Sequence, residues 1–119
     1  VYEQACPKFA PMIEKDMIDT LEMDEAINEY LKGLKEKGID TLILGCTHYP
    51  LLSEKIDKYF DYKVKLINSG VVLAEELNND FCKEPNVEFY VSGDLDSFKK
   101  QAKKFLNIKE LRGRYAFYK

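Results

Sequence analysis

The sequence has 119 residues, of which 45% are hydrophobic and 33% are charged, and its formal net charge is −3. This length suits one compact domain, since a domain of this size buries roughly two-thirds of its unfolded surface, and the composition excludes a disordered chain. No apolar stretch approaches the roughly 20 residues of a bilayer span, and the negative charge gives no general attraction to nucleic acid or anionic lipid.

Three cysteines, Cys6, Cys46 and Cys82, are scattered along the chain and odd in number. This usage argues against a disulfide framework and favours a reducing, cytoplasmic setting. The first residues, VYEQACP, form a mixed segment without the basic head and apolar run of a secretory leader, so we expect no leader here. The absence of a starting methionine is compatible with a partial chain.

The first clear element is an amphipathic helix over residues 24–37, DEAINEYLKGLKEK. Acidic residues at its start and lysines at its end suit the helix dipole, and Gly38 is typical of a stop. The apolar residues of this helix, at Ile27, Tyr30, Leu31 and Leu34, have the i, i+3, i+4, i+7 spacing of one helix face. A short buried strand is predicted next, DTLILG at 40–45.

After this strand, helices and strands are predicted to alternate. In chain order the segments are a helix at 50–60, a strand at 63–67, a helix at 71–82, a strand at 87–91 and a helix at 95–106. Pro50 suits the first turn of its helix, and Asp94 is a suitable cap for the last helix. The final residues, through GRYAFYK, are ambiguous between a strand and a loose tail. The apolar positions predicted to be buried by these helices are Leu52, Ile56, Tyr59, Phe60, Leu73, Leu77, Phe81, Phe98, Ala102, Phe105 and Leu106.

The alternation predicts an α/β fold with right-handed crossovers and a mostly parallel sheet covered by helices on both faces. In open sheets of this kind, ligands bind beyond the carboxyl ends of the strands. Three predicted strand ends combine small residues with polar groups, at 45–48, 68–70 and 92–94. For the last two, ordinary turn chemistry explains the residues at least as well as a site.

Cys46 lies at the first of these strand ends, ahead of the predicted Pro50 helix. Helix N-terminal amides and the positive end of the dipole favour a thiolate there, and a modest fall from the usual cysteine pKa of about 8.5 yields a base or nucleophile at neutral pH. His48, the only histidine, is a candidate partner, proton donor or substrate clamp. Thr47 offers a hydroxyl and a backbone amide to a carboxylate. On chemistry alone, a lone strand-end cysteine is more often a small buried hydrophobe.

Other uses of these groups fit poorly. A structural zinc site needs four ligands, whereas the chain has one histidine and no Cys-x-x-Cys pair. A Cys-His hydrolase normally adds a third residue that orients the base, and the sequence does not identify one. The segment SGDLD lacks the lysine and the spacing of a P-loop.

Residues 42–52, LILGCTHYPLL, resemble the signature around the second catalytic cysteine of glutamate racemase, in the cofactor-independent Asp/Glu racemase superfamily. ACPKFAPMIE at 5–14 and LINSG at 66–70 resemble further segments of that family in order and spacing. The resemblance covers essentially the whole chain, as the C-terminal half of a two-domain Asp/Glu-racemase-like fold that is incomplete here. It implies that residues 1–67 form the latter part of the second α/β domain and that 68–119 return to the first.

In that family, two thiols face opposite sides of the substrate Cα. One removes the α-proton and the other returns a proton on the far face, without pyridoxal phosphate or metal. The resemblance implies that Cys46 is one of these thiols, that Thr47 and His48 contact the substrate, and that His48 also assists proton transfer. Glu14 falls at the position of an acidic helper, with a solvated helix carboxylate as its alternative role. The other two cysteines do not resemble the opposing thiol.

The Asp-Ser-Gly strand end and the Cys-Asn-Thr turn of the family's first half do not occur in this sequence. With one acid–base thiol, a proton taken from one face returns to that face, so we expect this segment alone to be inactive. The resemblance implies a parent enzyme that interconverts L- and D-glutamate, needs no cofactor, and supplies D-glutamate for peptidoglycan. Aspartate and hydantoin racemases are the alternatives within the enzyme class.

A non-enzymatic alternative is a truncated remnant or an interaction module. Its motivation is the basic end, since residues 99–119 hold eight Lys or Arg and one Glu, a charge of +7, which leaves −10 on residues 1–98. A solvated helix face with a tail against the acidic remainder is the favoured explanation, so nucleic acid and membranes are disfavoured as partners. The partners expected are glutamate and the missing N-terminal half of the same enzyme, with homodimerisation left open.

Overall fold

The computed structural model describes residues 1–77, 88–107 and 109–111, and the backbone alone of 114–117. The chain divides into two compact units, Val1–Asn78 and Asn79–Lys119. The predicted assignment of residues 1–67 and 68–119 to different domains of a larger fold stays a prediction.

The first unit begins with two helices that share a core. Helix α1 spans Phe9–Glu14 and helix α2 spans Leu21–Glu36. Phe9 and Ile13 of α1 are buried. The side chains that α2 buries are Met23, Ala26, Ile27, Leu31 and Leu34. Burial of Ile27, Leu31 and Leu34 from the predicted stripe is therefore confirmed, because the apolar face of an amphipathic helix must pack on a neighbouring element. The fourth residue of the stripe, Tyr30, is half-buried.

The bounds of α2 follow from its caps. The Thr20 side chain accepts a hydrogen bond from the Met23 N–H at 3.3 Å, so the helix begins at Leu21 instead of residue 24. At the other end, Gly38 has a φ of 63°, a left-handed conformation that glycine adopts without steric cost. The predicted stop at Gly38 is confirmed.

A pair of parallel strands follows these helices. Strand β1, Thr41–Leu44, and strand β2, Lys65–Asn68, lie side by side, with Ile43 opposite Ile67 in the register. Between the two strands the chain forms a 3-10 turn, Tyr49–Leu52, and then helix α3, Ser53–Tyr59. The helix predicted at 50–60 is thus divided, with Pro50 in the 3-10 turn. Leu52, Ile56 and Phe60 are buried as predicted, and Tyr59, predicted with them, is half-buried.

Helix α4, Ser69–Glu76, starts directly after β2. The Asn68 side chain caps it by accepting from the backbone N–H groups of Gly70 and Val71. The predicted burial of Leu73 and Leu77 is wrong, because these side chains are 63% and 57% exposed. The large apolar groups of α4 lie uncovered in this unit. Phe81, also predicted to be buried, lies outside the described residues.

In the second unit, strand β3, Glu88–Val91, pairs in parallel with strand β4, Arg114–Phe117. The ambiguous C-terminal segment therefore contains a strand. Helix α5, Leu95–Phe105, lies between these strands in sequence. The predicted cap is confirmed, since the Asp94 carboxylate accepts from the Ser97 N–H at 2.6 Å.

The apolar face of α5 is covered only in part. The Phe98 ring packs on Phe89 with centroids 5.6 Å apart, and Phe98, Ala102 and Phe105 are half-buried. The predicted burial of Leu106 is wrong, because this residue is the C-cap, where the chain leaves the helix axis, and it is 59% exposed.

The alternating helices and the two parallel strand pairs confirm the predicted α/β class with parallel pairing. None of the helices in the described part of the chain combines the length and the apolar character that a membrane span requires.

Candidate active site at the end of strand β1

The segment after β1 is a tight turn that presents three polar residues. Strand β1 ends at Leu44, and the Tyr49 N–H donates to the Cys46 carbonyl at 3.1 Å, which closes the turn. This bond holds the backbone of Cys46, Thr47 and His48 at the carboxyl end of a parallel strand. Ligands bind at such ends in open α/β sheets.

The structure places the Cys46 thiol beside the His48 imidazole. Cys46 is half-buried, and its Sγ lies 3.8 Å from Nδ1 of His48. The other ring nitrogen, Nε2, lies 3.0 Å from the Oε1 atom of Glu14. Three of the predicted site residues therefore form a continuous line from thiol to imidazole to carboxylate. Glu14 is the last residue of α1, 34 positions before His48 in the sequence.

This geometry specifies how the imidazole is oriented. An ionised carboxylate only accepts hydrogen bonds, so an ionised Glu14 pairs with the His48 tautomer that carries its proton on Nε2. In that neutral tautomer, Nδ1 presents its lone pair toward the Cys46 sulfur. Such an imidazole can take the thiol proton and give it back, while the carboxylate stabilises the imidazolium that forms.

Thr47, the fourth predicted site residue, is exposed in the turn between Cys46 and His48. Its hydroxyl and backbone amide lie next to the thiol in the sequence.

The thiolate argument from the following helix needs a correction. The segment directly after His48 is a 3-10 turn of four residues, and the α-helix proper begins at Ser53. The field of a helix dipole falls off within its first turn. The dipole argument therefore does not apply to α3, and the described side chain beside the Cys46 thiol is the His48 imidazole.

Cys6 has a different environment. It is buried, and burial raises the pKa of its thiol to about 11. Its Sγ donates to the Gln4 carbonyl at 3.6 Å. These features keep Cys6 a neutral thiol at physiological pH, which suits a packing role in the core. Cys82 lies outside the described residues.

Tyr49 contributes a contact that was not inferred from the sequence. Its hydroxyl donates to the Cys6 carbonyl at 3.3 Å, and its ring packs edge-on against Phe9. The pKa of Tyr49 is raised, mainly by burial and further by the thiols of Cys6 and Cys46, so the phenol stays protonated and can donate. The available signal was its place in GCTHYP, directly after His48.

The two other strand ends have structural explanations. Asn68 at the end of β2 caps α4, and Asp94 after β3 caps α5. Turn and cap chemistry accounts for both segments, which leaves the end of β1 as the candidate site.

The structure thus defines an α/β chain with a thiol, an imidazole and a carboxylate at the end of a parallel strand. Comparison with known proteins identifies the family: the chain belongs to the Asp/Glu/hydantoin racemase family, whose model matches residues 1–77. The resemblance predicted from the residues around Cys46 is confirmed.

Individual relatives give the same family. The chain is 41% identical over 117 residues to a glutamate racemase from Thermoanaerobacter sp. (strain X514). The aligned region covers 92% of this chain and 44% of that relative. The chain thus spans less than half the length of this curated relative.

Solved structures agree. A glutamate racemase isoform from Bacillus anthracis superposes with a TM-score of 0.80 at 29% identity, over 100% of this chain and 47% of that one. A glutamate racemase from Francisella tularensis, solved in complex with D-glutamate, superposes with a TM-score of 0.76 at 30% identity and the same coverage. The predicted fold class, an Asp/Glu-racemase-like fold that is incomplete here, is confirmed.

Proposed function

We propose that this chain carries one of the two proton-transfer thiols of a glutamate racemase, and that the full-length protein interconverts L- and D-glutamate without a cofactor. The observation that carries the proposal is the line from the Cys46 thiol through His48 to Glu14 at the end of β1. Membership of the racemase family supplies the reaction class.

In the proposed step, the Cys46 sulfur acts as a thiolate and takes the proton from Cα of the substrate. The C–H bond breaks, the electron pair stays on the substrate and spreads into its carboxylate group, and an S–H bond forms. The opposing thiol, which lies outside this chain, donates a proton to the other face. In the reverse direction, Cys46 is the thiol that gives its proton to Cα.

His48 prepares the sulfur for this step. Its Nδ1 atom accepts the thiol proton, and the Glu14 carboxylate stabilises the resulting imidazolium through Nε2. Thr47 and His48 are proposed to bind the substrate, with the Thr47 hydroxyl and amide facing a carboxylate group. The Francisella tularensis relative was solved with D-glutamate, which supports glutamate as the ligand.

The biological setting follows from this reaction. The proposed product, D-glutamate, supplies peptidoglycan synthesis, and the cysteine usage favours a cytoplasmic location. The 119-residue segment by itself is proposed to be inactive, because inversion needs a base on one face of Cα and an acid on the other, and the segment contributes one such group.

The decisive experiment follows deuterium at Cα. The full-length protein is incubated with L-glutamate in heavy water, and α-deuterium incorporation and D-glutamate formation are measured by mass spectrometry and chiral chromatography. Cys46→Ser is expected to lower both by at least about 10²-fold, the usual scale for loss of an acid–base group. Cys82→Ser, the same replacement at a cysteine not assigned to the site, is the control and is expected to retain activity.

If Cys46→Ser left both exchange and inversion unchanged, the proposed role of this thiol would be wrong. L-aspartate and a 5-substituted hydantoin are run in the same assay. Faster turnover of either than of L-glutamate would assign the enzyme to that substrate instead.

A further inference from the structure

The contact between Glu14 and His48 joins two segments that are distant in sequence. Glu14 ends a helix of six residues, and His48 lies in a turn 34 positions later. Both side chains reach solvent, with 56% and 32% exposure. A hydrogen bond between two such groups is easily lost unless other contacts fix the segments that carry them. Among the described contacts, those of Tyr49 reach both segments.

We propose that Tyr49 is a positioning residue that holds Glu14 against His48, an inference that rests on the proposed function. On the side of the turn, its backbone N–H closes the Cys46–Tyr49 turn by donating to the Cys46 carbonyl at 3.1 Å. Tyr49 is thus bonded through its backbone to the segment that carries the thiol and the imidazole.

On the side of α1, the Tyr49 hydroxyl donates to the Cys6 carbonyl at 3.3 Å. The same carbonyl accepts the Phe9 N–H at 3.1 Å, and Phe9 is the first residue of α1. The Tyr49 hydroxyl therefore shares its acceptor, the Cys6 carbonyl oxygen, with the first backbone N–H of α1.

A second contact, between the Tyr49 ring and α1, adds to the hydrogen bond of the Tyr49 hydroxyl. The rings of Tyr49 and Phe9 meet edge-on, with centroids 5.5 Å apart and planes at 83°. Phe9 is only 1% exposed, so it is held on its other sides by the core. Because α1 has only six residues, a displacement of Phe9 is carried along the helix to Glu14 at its far end.

Tyr30 provides a matched control for the hydroxyl. Its ring also packs edge-on against Phe9, with centroids 5.4 Å apart and planes at 77°. It lies on α2, and among the described residues its hydroxyl makes no hydrogen bond to the turn that carries the thiol. Tyr30→Phe therefore deletes a phenol oxygen from the same aromatic cluster while the bond between the turn and α1 stays intact.

The test is a double-mutant cycle on the full-length protein, read as the rate of α-deuterium exchange with L-glutamate. Tyr49→Phe keeps the ring and removes the hydroxyl. It is expected to lower the maximal exchange rate by about 10-fold or more, because misplacement of a catalytic group by about 1 Å is enough to cost up to 10²-fold. Tyr30→Phe is expected to stay within about twofold of wild type.

The cycle then repeats both changes in a Glu14→Gln background. If Tyr49 acts by positioning Glu14, Tyr49→Phe changes the exchange rate there by less than about twofold, since the contact it supports has already been altered. A purely structural role would lower the rate by the same factor in both backgrounds. The proposal would be overturned if the rate losses of Tyr49→Phe and Glu14→Gln multiplied in the double variant. Wild-type exchange in Tyr49→Phe alone would also overturn it.

Two further variants keep the outcome decisive. If Tyr49→Phe does not fold, Phe9→Leu is used, which removes the edge-on ring contact and keeps a buried apolar side chain; it is expected to show the same loss and the same dependence on Glu14. Cys46→Ser in the same assay separates the two hypotheses. If Cys46→Ser is active, the proposed function is refuted. If Cys46→Ser is inactive and Tyr49→Phe is fully active, only the role of Tyr49 is refuted.

Discussion

At the scale of single residues, the two described cysteines show how environment assigns chemistry. Cys6 is 5% exposed and has no described charged partner, and burial raises its thiol pKa to about 11. Cys46 is half-buried and lies beside an imidazole that is hydrogen-bonded to a carboxylate. The same functional group is thus suited to packing in one place and to proton transfer in the other.

This difference predicts selective alkylation. The thiolate is the reactive form, so at pH 8 only about 0.1% of Cys6 is reactive if its pKa is about 11. Iodoacetamide at pH 8 is expected to modify Cys46 well before Cys6 in the folded full-length protein. The Cys6 rate should rise about tenfold per pH unit up to the pKa of its thiol. Peptide mass spectrometry measures both sites.

The control for alkylation is the protein unfolded in denaturant, where the two cysteines are expected to react at similar rates. Equal modification of Cys6 and Cys46 in the folded protein would contradict the burial that the structure assigns to Cys6.

At the scale of elements, side-chain caps set where the helices begin. Thr20, Asn68 and Asp94 each accept backbone N–H groups at the start of a helix, which satisfies donors that have no partner within the helix. The cap on α2 matters for the site, because α2 and α1 share the core beneath Phe9.

Replacement of Thr20 tests this role. The Thr20 hydroxyl accepts from the Met23 N–H and donates to the Met17 carbonyl at 2.8 Å. Thr20→Ala is expected to lower the free energy of unfolding by about 1 kcal/mol, the usual effect of losing such a cap. Urea denaturation followed by circular dichroism measures it. Thr20→Ser keeps the hydroxyl and should be close to wild type; equal loss in both variants would mean that the methyl group, and not the cap, stabilises the helix.

At the scale of the whole molecule, the chain exposes apolar surface that parallel sheets normally cover. Ile43 on β1 is 66% exposed, although strands of parallel sheets are usually buried on both faces. Val71, Val72, Leu73 and Leu77 of α4 and its C-cap are also exposed. Because this chain spans 44% of a relative's length, we infer that the remainder of the full-length protein covers these groups.

The isolated 119-residue chain is therefore expected to self-associate. Sedimentation velocity should show a weight-average mass that rises with concentration, and Ile43→Glu should reduce that rise by placing a charge on the open face. Tyr62→Glu adds the same charge at a 71% exposed side chain outside the strands and should have little effect. A monomer at all concentrations with sharp cooperative unfolding would contradict this interpretation.

The sequence by itself determined the alternation of helices and strands from α2 to α5, the α/β class, the stop at Gly38, the cap at Asp94, and the family, through LILGCTHYPLL. The structural features among these depend on interactions within a few residues, namely apolar periodicity, capping and turn chemistry. Local rules were less reliable where helix types compete: they predicted one helix at 50–60, where the structure has a 3-10 turn before α3, and they did not identify the six-residue α1.

Only the tertiary structure decided which groups meet. The approach of Glu14 to His48, the bond from Tyr49 to the Cys6 carbonyl, and the exposure of Leu73 and Leu77 depend on how separate elements pack. The sequence places Glu14 and His48 34 positions apart, and no local periodicity relates them. Their distance is set by the packing of α1 against the turn after β1, which is a property of the folded core.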